Sequence, residues 1–368
     1  MPYCKLTLVA ALKATLIASC ALTASAIPAG TSTHSSDVDP GIFLGQPLEK
    51  LTDFRKYGVS LASALGINDD HTIEVARGTY NKKYEAFIKC MALVVNKGEY
   101  RIPNGNLENE EFAFQALMDA GHRAKGAWKK SADHVSRPYV SLDTMGRRCF
   151  VYSYDGHEDV LDYIEQGRLD SIADVKTIAR GVLRGIMFLH SAGIVHNDIK
   201  LENVMLSTVY TTNGIRLKPT LVDFDLASPL RRDGNGVVIP DHNLRGSPPY
   251  MPPEALTMTA ADLSKKDVWA AGIVVYAMVA NSFIFDHRDE NKYKIAVMNS
   301  KVNGLPWSPI RSALSQYPKA QGWPLEAALY AMLTTLPQNR PSAQTCLAIL
   351  NGQAHSDAWR AACRSIGD

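Results

Sequence analysis

The chain has 368 residues, of which 46% are hydrophobic, so it can bury one large core or two ordinary ones. Its 39 basic and 37 acidic residues nearly cancel, which predicts no nucleic-acid partner and no general attraction to an anionic membrane. The sequence contains no internal repeat or low-complexity tract, so we expect an ordinary globular protein.

The first 26 residues have the pattern of a secretory signal peptide. Lys5 precedes an apolar run over residues 6–22, which Lys13 interrupts, and small residues at 24–26 would suit a signal peptidase. An uncleaved anchor fits less well because the uncharged run is short for a bilayer, and a lipoprotein attached at Cys20 fits less well because the apolar run continues past it. We therefore predict no stable membrane anchor and a secreted protein, either extracellular or delivered into another cell.

Residues 27–50 are rich in Ser, Thr, Pro and Gly and predict a flexible lead-in. Residues 59–65, 72–75 and 84–91 then predict an antiparallel meander of three short strands. Lys89 lies inside the third strand, where an ammonium costs several kcal/mol unless a carboxylate pairs with it. A lysine that reaches solvent from a strand edge is the alternative.

The partner of Lys89 is expected on a helix over residues 107–118. Glu110 is followed by apolar residues four, seven and eight positions later, which places it on the buried stripe of that helix. Glu111 lies one step around the helix and is the second choice. Residues 139–142 and 148–154 predict two more strands, and a helical period begins near residue 175.

The polar residues of 194–206 carry the main chemical signal. His196, Asp198, Lys200 and Asn203 lie between two short apolar runs, and Asp223 follows the next apolar run. A loop held between buried strands can direct a carboxylate, an ammonium and a carboxamide into one cleft. Phosphoryl transfer needs such a set, because it depends on positioning and on charge neutralisation.

The motif H-N-D-x-K-x-x-N at residues 196–203, followed by D-F-D at 223–225, resembles the catalytic loop and the magnesium-binding triplet of eukaryotic protein kinases. Residues 246–254 resemble the end of a kinase activation segment, and residues 267–272 and 339–342 resemble two later family motifs. The resemblance covers about residues 55–350 and is closer to the Ser/Thr branch than to the Tyr branch.

The resemblance implies an α+β, bilobal fold. Residues 51–155 would form a small antiparallel β lobe with one helix, residues 156–355 a mainly helical lobe, and residues 356–368 a C-terminal tail. It further implies that ATP and Mg²⁺ are the cofactors, and that the γ-phosphoryl group of ATP passes to Ser or Thr of a protein substrate.

The family also implies roles for particular residues. Asp198 would accept the hydroxyl proton and Lys200 would neutralise the moving phosphoryl group. Lys89, held by Glu110, would bind the α- and β-phosphates. The remaining assignments are Gly66 in the phosphate-covering loop, Tyr152 at the back of the nucleotide pocket, Ser153 and Tyr154 in the hinge that binds adenine, Asp159 at the ribose, and Asn203 and Asp223 on Mg²⁺. Asp159 as a simple helix N-cap is the alternative.

Three scaffold contacts are also predicted. We expect Ser247 to bond Asp198, Asp267 to cap backbone amides of the catalytic loop, and Glu254 to pair with Arg340 in a buried site.

Several positions depart from the family pattern. Asn197 replaces the arginine that pairs with a phosphate in many kinases, and residues 230–245 contain no Ser, Thr or Tyr. Both changes predict a protein that does not depend on activation-segment phosphorylation. Residues 66–73 keep only Gly66 of the glycine motif, and Asp225 replaces a glycine. A kinase-like protein without catalysis that acts as a binding or effector module is therefore the alternative function.

Four cysteines remain after signal-peptide cleavage, at positions 90, 149, 346 and 363. The kinase-like arrangement would place Cys90 and Cys149 on neighbouring strands. A bridge between them is possible in an exported chain, but we expect buried free thiols.

Overall fold

The computed structural model describes most of the chain between residues 53 and 353. The described ranges are 53–67, 73–96, 99–101, 106–144, 146–169, 171–212, 214–242, 245–257, 260–285 and 290–353. The predicted signal peptide, the lead-in, most of the glycine motif and the tail at 356–368 lie outside these residues. The described part divides into a sheet unit, residues 53–123 and 136–155, and a helical unit, residues 124–135 and 156–353.

The sheet unit contains, in chain order, a 3₁₀ turn (Asp53–Tyr57), β1 (Val59–Ile67), β2 (Ile73–Tyr80), β3 (Tyr84–Ala92), β4 (Val94–Asn96), β5 (Glu99–Arg101), α1 (Asn106–Arg123), β6 (Pro138–Thr144) and β7 (Arg147–Ser153). It is built on a five-stranded antiparallel sheet in the order β1-β2-β3-β7-β6, with a two-stranded hairpin of β4 and β5.

The period of two along β3 and β7 divides the sheet into two faces. Alternate side chains of the two strands, Ile88 and Val151 among them, join one apolar cluster with Phe54 of the 3₁₀ turn. On the other face, Phe150 of β7 lies against Phe114 of α1, with ring centroids 5.4 Å apart. Lys89 follows Ile88 and therefore lies on the α1 face of the sheet.

Cys90 and Cys149 are directly opposite each other on β3 and β7 and form a disulfide. The expectation of free thiols is wrong for this pair. The correct register could not be read from the sequence, because β3 and β7 are separated by 59 residues between the two cysteines. Cys346 is buried with a free thiol, and Cys363 lies outside the described residues.

The helical unit surrounds one buried helix, α6 (Leu263–Ala280). Its elements in chain order are α2 (Ala127–Ala132), β8 (Glu158–Asp159), α3 (Val160–Glu165), α4 (Ile172–Ser191), β9 (Ile194–Val195), β10 (Val204–Thr211), β11 (Gly214–Leu221), β12 (Ser228–Pro229), α5 (Pro253–Leu256), α6 (Leu263–Ala280), α7 (Glu290–Asn303), α8 (Ser308–Leu314), α9 (Lys319–Met332) and α10 (Ala343–Leu350). α6 is buried on all sides along most of its length, in agreement with the apolar run of residues 268–279.

The catalytic motif lies between short strands, as its flanking apolar runs indicate. β9 pairs with β12, and β10 pairs with β11 and with β8, all antiparallel. The 3₁₀ turn Leu201–Asn203 connects the loop to β10. These pairings fix both ends of residues 196–203.

Residues 124–135 belong to the helical unit, although the predicted lobe boundary lies at residue 155. α2 packs against α4, and His134 Nδ1 lies 2.7 Å from the carbonyl oxygen of Pro219. Val135 forms an isolated bridge with Leu221. These contacts attach the segment to α4 and β11.

The order of an antiparallel sheet unit followed by a mainly helical unit confirms the predicted α+β, bilobal kinase-like fold class. Within the described residues, no helix combines the length and the hydrophobicity that a transmembrane span requires.

The disulfide predicts a defined thiol count. Under denaturing conditions, reduction should expose two additional thiols in the wild type and none in a Cys90→Ser, Cys149→Ser double variant. The double variant should lose roughly 2–5 kcal/mol of unfolding free energy, because the unfolded chain is then less constrained. Mass spectrometry after alkylation gives the count, and equal counts with and without reductant in the wild type would contradict the disulfide.

Candidate active site

Lys89 and Glu110 form the buried ion pair that the sequence predicts. Lys89 Nζ lies 2.9 Å from Glu110 Oε2, and the two side chains are 8% and 0% exposed. The Tyr152 hydroxyl donates a hydrogen bond of 2.6 Å to Glu110 Oε1. Glu111 instead lies on the exposed side of α1, where it pairs with Arg148. The buried stripe of α1 therefore selects Glu110 as the partner.

The end of β7 is held by a polar network that the sequence did not reveal. Ser136 Oγ and Ser153 Oγ each donate a hydrogen bond of 2.7 Å to Asp155 Oδ2. The amide of Tyr154 donates to the carbonyl oxygen of Glu85 on β3. The predicted hinge thus has a fixed backbone, and the binding of adenine by Ser153 and Tyr154 stays a prediction.

Gly66 lies near the end of β1, paired with Val75 of β2 next to an irregularity in the register. The rest of the predicted phosphate-covering loop, residues 68–72, is outside the described residues. Its contact with phosphates stays a prediction.

Asp198 is buried, and each of its carboxylate oxygens accepts hydrogen bonds. Lys200 Nζ is 2.8 Å from Oδ2, and Asn203 Nδ2 donates to the same oxygen at 3.3 Å. Ser247 donates to Oδ1 from its hydroxyl at 2.7 Å and from its amide at 3.0 Å. The predicted bond between Ser247 and Asp198 is therefore present.

These contacts determine the charge state of the loop. Burial favours the neutral carboxyl, but the Lys200 ammonium and the hydrogen bonds from Lys200 and Ser247 outweigh it and lower the pKa of Asp198. Burial also opposes the charge on Lys200, yet the Asp198 carboxylate raises the pKa of that amine above its usual value. At neutral pH the site therefore holds a carboxylate that can accept a proton, beside an ammonium.

Asn203 and Asp223 fit a Mg²⁺ ion. Asn203 uses Nδ2 to donate to the carbonyl oxygen of Asp198 at 2.9 Å, which leaves its side-chain oxygen as a possible ligand. Among the described residues, no group of three or more His, Cys, Asp or Glu side chains could hold a metal alone. Mg²⁺ is commonly bound by one or two protein oxygens together with substrate phosphates. The donor set therefore suits an ion that arrives with a nucleotide.

The backbone around Asp223 is fixed by aromatic packing. Asp223 adopts φ 68°, and the adjacent Phe224 is buried against the ring of His196, with centroids 5.4 Å apart. The His196 ring also lies 3.0 Å from the carbonyl oxygen of Val222 through Nε2. The triplet and the catalytic loop are therefore held together by His196.

The two other predicted scaffold contacts are present. Asp267 accepts hydrogen bonds from the amides of His196 and Asn197 at 2.9 and 3.0 Å. Arg340 forms two hydrogen bonds with Glu254, at 2.6 and 3.2 Å, in a buried site. The first contact positions the catalytic loop directly, and the second joins the end of the activation segment to a later turn.

Lys266 is a buried residue that the sequence analysis did not identify. Its Nζ donates to Asn197 Oδ1 at 2.9 Å and to the carbonyl oxygen of Arg245. Burial lowers the pKa of this amine to about 8, although the nearby Asp267, Asp198 and Glu254 charges act in the opposite direction. Lys266 lies between Lys265 and Asp267 in a polar first helical turn, so nothing in the local sequence marks it as buried.

Asp159 is the N-cap of α3, the alternative left open by the sequence. It accepts a hydrogen bond of 2.8 Å from the amide of Asp162. Burial raises the pKa of Asp159 to about 6, and the Asp162 and Glu202 charges add to the effect. Its contact with a ribose stays a prediction.

Comparison with known proteins agrees with this geometry. The model of the protein kinase domain matches residues 128–349, more than half of the chain, and the chain therefore belongs to the protein kinase family.

Among curated relatives, the chain is 29% identical over 215 residues to human testis-specific serine/threonine-protein kinase 3, which covers 58% of the chain and 74% of the relative. It is 28% identical over 286 residues to serine/threonine-protein kinase Nek6 of Oryza sativa subsp. japonica, covering 73% of the chain and 45% of the relative. It is 30% identical over 176 residues to CBL-interacting serine/threonine-protein kinase 18 of Arabidopsis thaliana, covering 46% of the chain and 30% of the relative. The matched part thus spans less than half of the two plant relatives.

The Lys89–Glu110 pair predicts unequal effects of two neighbouring substitutions. Glu110→Gln should cost about 3 kcal/mol of unfolding free energy, because it removes the carboxylate that lies 2.9 Å from the buried Lys89 ammonium. Glu111→Gln is the matched control and should cost about 0–1 kcal/mol, since its partner is at the surface. Urea denaturation measures both, and equal costs would refute the assignment.

The pKa of Asp159 predicts a pH-dependent gain in stability. The folded protein binds this proton more tightly than the unfolded chain, so the stabilisation is complete below about pH 4 and is lost as pH rises through about 6. Asp159→Asn keeps a capping oxygen and removes the ionisation. The variant should therefore gain melting temperature relative to wild type at pH 7 and show no gain at pH 4. A constant difference between pH 4 and pH 7 would contradict the shifted pKa.

Proposed function

We propose that this protein transfers the γ-phosphoryl group of ATP to a Ser or Thr hydroxyl of a protein substrate. The observation that carries the proposal is the Asp198 carboxylate, ionised and held by Lys200 at 2.8 Å and Ser247 at 2.7 Å. Lysine two residues after the catalytic aspartate and the names of the relatives, which are serine/threonine-protein kinases, support this substrate class.

The residues of this chain would act in the following way. Asp198 orients the substrate hydroxyl and accepts its proton while the hydroxyl oxygen bonds to the γ-phosphorus and the bond to the ADP oxygen breaks. Lys200 neutralises charge on the phosphoryl group in transfer. Lys89, oriented by Glu110, binds the α- and β-phosphates. Mg²⁺, when bound, neutralises phosphate charge.

Asn203 and Asp223 would hold that ion. Their supporting contacts come from the catalytic loop itself, because Asn203 bonds the backbone and the side chain of Asp198. The proton acceptor and one metal ligand are therefore positioned by the same hydrogen-bond network.

We further propose that activity does not require phosphorylation of the activation segment. Residues 230–245 offer no hydroxyl to modify, and position 197 offers no arginine to bind a phosphate. The two hydroxyls that flank this stretch, those of Ser228 and Ser247, are already bonded to Asn197 and Asp198 of the catalytic loop.

Secretion is also a proposal, either to the extracellular space or into another cell. The pattern of residues 1–26 supports it, and so does the Cys90–Cys149 disulfide. Disulfides form and persist in oxidising compartments and are rare in the cytosol.

Asp198→Asn tests the proposed reaction. The variant preserves the shape of the side chain and removes the proton acceptor, so phosphorylation of a Ser/Thr peptide library should fall by about 10²–10⁴-fold. The melting-temperature shift caused by Mg·ATP should persist, since Lys89, Asn203 and Asp223 are unchanged. Radiolabel transfer and thermal shift give the two measurements.

Two controls separate the outcomes. Phosphatase treatment of the wild type should leave the rate unchanged. Equal activity of wild type and Asp198→Asn, or no thermal shift of the wild type with Mg·ATP, would overturn the enzymatic proposal and favour a binding module.

A further inference from the structure

Asn197 is a buried branch point between the catalytic loop and the activation segment, residues 223–254. Its Nδ2 donates to the carbonyl oxygen of Leu226 at 2.9 Å and to Ser228 Oγ at 2.8 Å. Its backbone has φ 67°, a conformation that asparagine tolerates better than most residues. The carboxamide thus binds the beginning of the segment.

Lys266 connects this branch point to the other end of the segment. Its Nζ donates both to Asn197 Oδ1 and to the carbonyl oxygen of Arg245, two residues before Ser247. A β-carbon at Gly246 would lie 2.6 Å from the carbonyl oxygen of Asn197, so the segment backbone passes directly against the catalytic loop. One ammonium therefore joins the loop to the end of the segment that carries Ser247.

The middle of the segment has contacts of its own. Arg232 and Val238 form an antiparallel bridge, and Asp233 Oδ1 accepts hydrogen bonds from two amides of the turn between them. Leu230 and Val238 pack in a cluster with Val195 of β9. The middle of the segment is thus held by contacts that do not involve Lys266, whereas Asn197 and Lys266 link its two ends to the catalytic loop.

The burial of Lys266 needs a physical reason. The residue is 3% exposed, and a buried ammonium is costly unless its hydrogen bonds are satisfied. A buried lysine that carries such a cost is expected where function requires it. Lys266 donates to one acceptor on the catalytic loop and one on the activation segment, so its burial links these two parts of the site.

We propose that Lys266 is a positioning residue for phosphoryl transfer: with Asn197 it holds both ends of the activation segment on the catalytic loop and keeps Ser247 against Asp198. It thereby does what a phosphate on the segment would otherwise do. This inference rests on the proposed kinase function.

Lys266→Met is the direct test, because methionine preserves an unbranched apolar chain and removes the ammonium. Lys265→Met is the matched control. Lys265 Nζ donates to the carbonyl oxygen of Arg340 at 2.7 Å, and among the described residues it makes no hydrogen bond to the activation segment or the catalytic loop. Lys266→Met should lower kcat for peptide phosphorylation by about 10–100-fold, with KM for ATP unchanged within about twofold. Lys265→Met should lose melting temperature but keep kcat within about twofold.

Hydrogen–deuterium exchange provides a measurement that does not require catalysis. Amides of residues 226–228 and 245–247 should exchange faster in Lys266→Met than in Lys265→Met, while the amides of α6 remain protected in both. Because this readout needs no phosphoryl transfer, it tests the contact even if the protein proves to have no kinase activity.

A second variant covers a folding failure of Lys266→Met. Asn197→Gly removes the carboxamide and suits the positive φ, so it should reproduce the loss of kcat and the faster exchange. The Asn197→Gly, Lys266→Met double variant should have a kcat no lower than that of the less active single variant, since both changes break the same hydrogen-bond network. The proposal is overturned if Lys266→Met behaves as Lys265→Met, or if the two losses multiply.

Discussion

The catalytic loop depends on one buried carboxylate, that of Asp267 at the start of α6. Its two oxygens accept hydrogen bonds from the backbone amides of His196 and Asn197, and Oδ2 lies 2.9 Å from His190 Nε2. Burial raises the pKa of this group, but the hydrogen bond and charge of His190 and the amides outweigh burial and lower it. An ionised acid inside a helical core is stable only if such donors surround it. The loop therefore folds against Asp267, and the position of Asp198 follows from that contact.

The sequence predicts those parts of the site that depend on local periodicity. The apolar stripe of α1 favours Glu110 over Glu111 as the partner of Lys89, and the structure buries the first residue and exposes the second. The catalytic loop was identified because short apolar runs flank its polar residues and become the paired strands β9 and β10. In both cases the neighbours that decide burial lie within a few residues along the chain.

Contacts between distant segments could not be read in this way. The disulfide depends on the register of β3 against β7, and a shift of one residue would turn one cysteine to the opposite face of the sheet. Lys266 looks like an ordinary residue of a first helical turn, because its acceptors lie on the loop at Asn197 and on the segment at Arg245. Residues 124–135 join the helical unit through contacts with β11, which lies about 85 residues further along the chain.

Asn197 and Lys266 are best understood as one constraint. An arginine at position 197 would place a permanent cation beside the Lys266 ammonium in a buried site, and like charges are strongly unfavourable where the dielectric constant is low. Asparagine instead offers an oxygen to the lysine and donor hydrogens to Leu226 and Ser228. The neutral carboxamide therefore needs no anion to balance its charge, whereas a buried arginine would need one. The exchange at position 197 and the absence of hydroxyls in residues 230–245 thus have the same physical consequence, a segment held by donors and acceptors that belong to the folded chain itself.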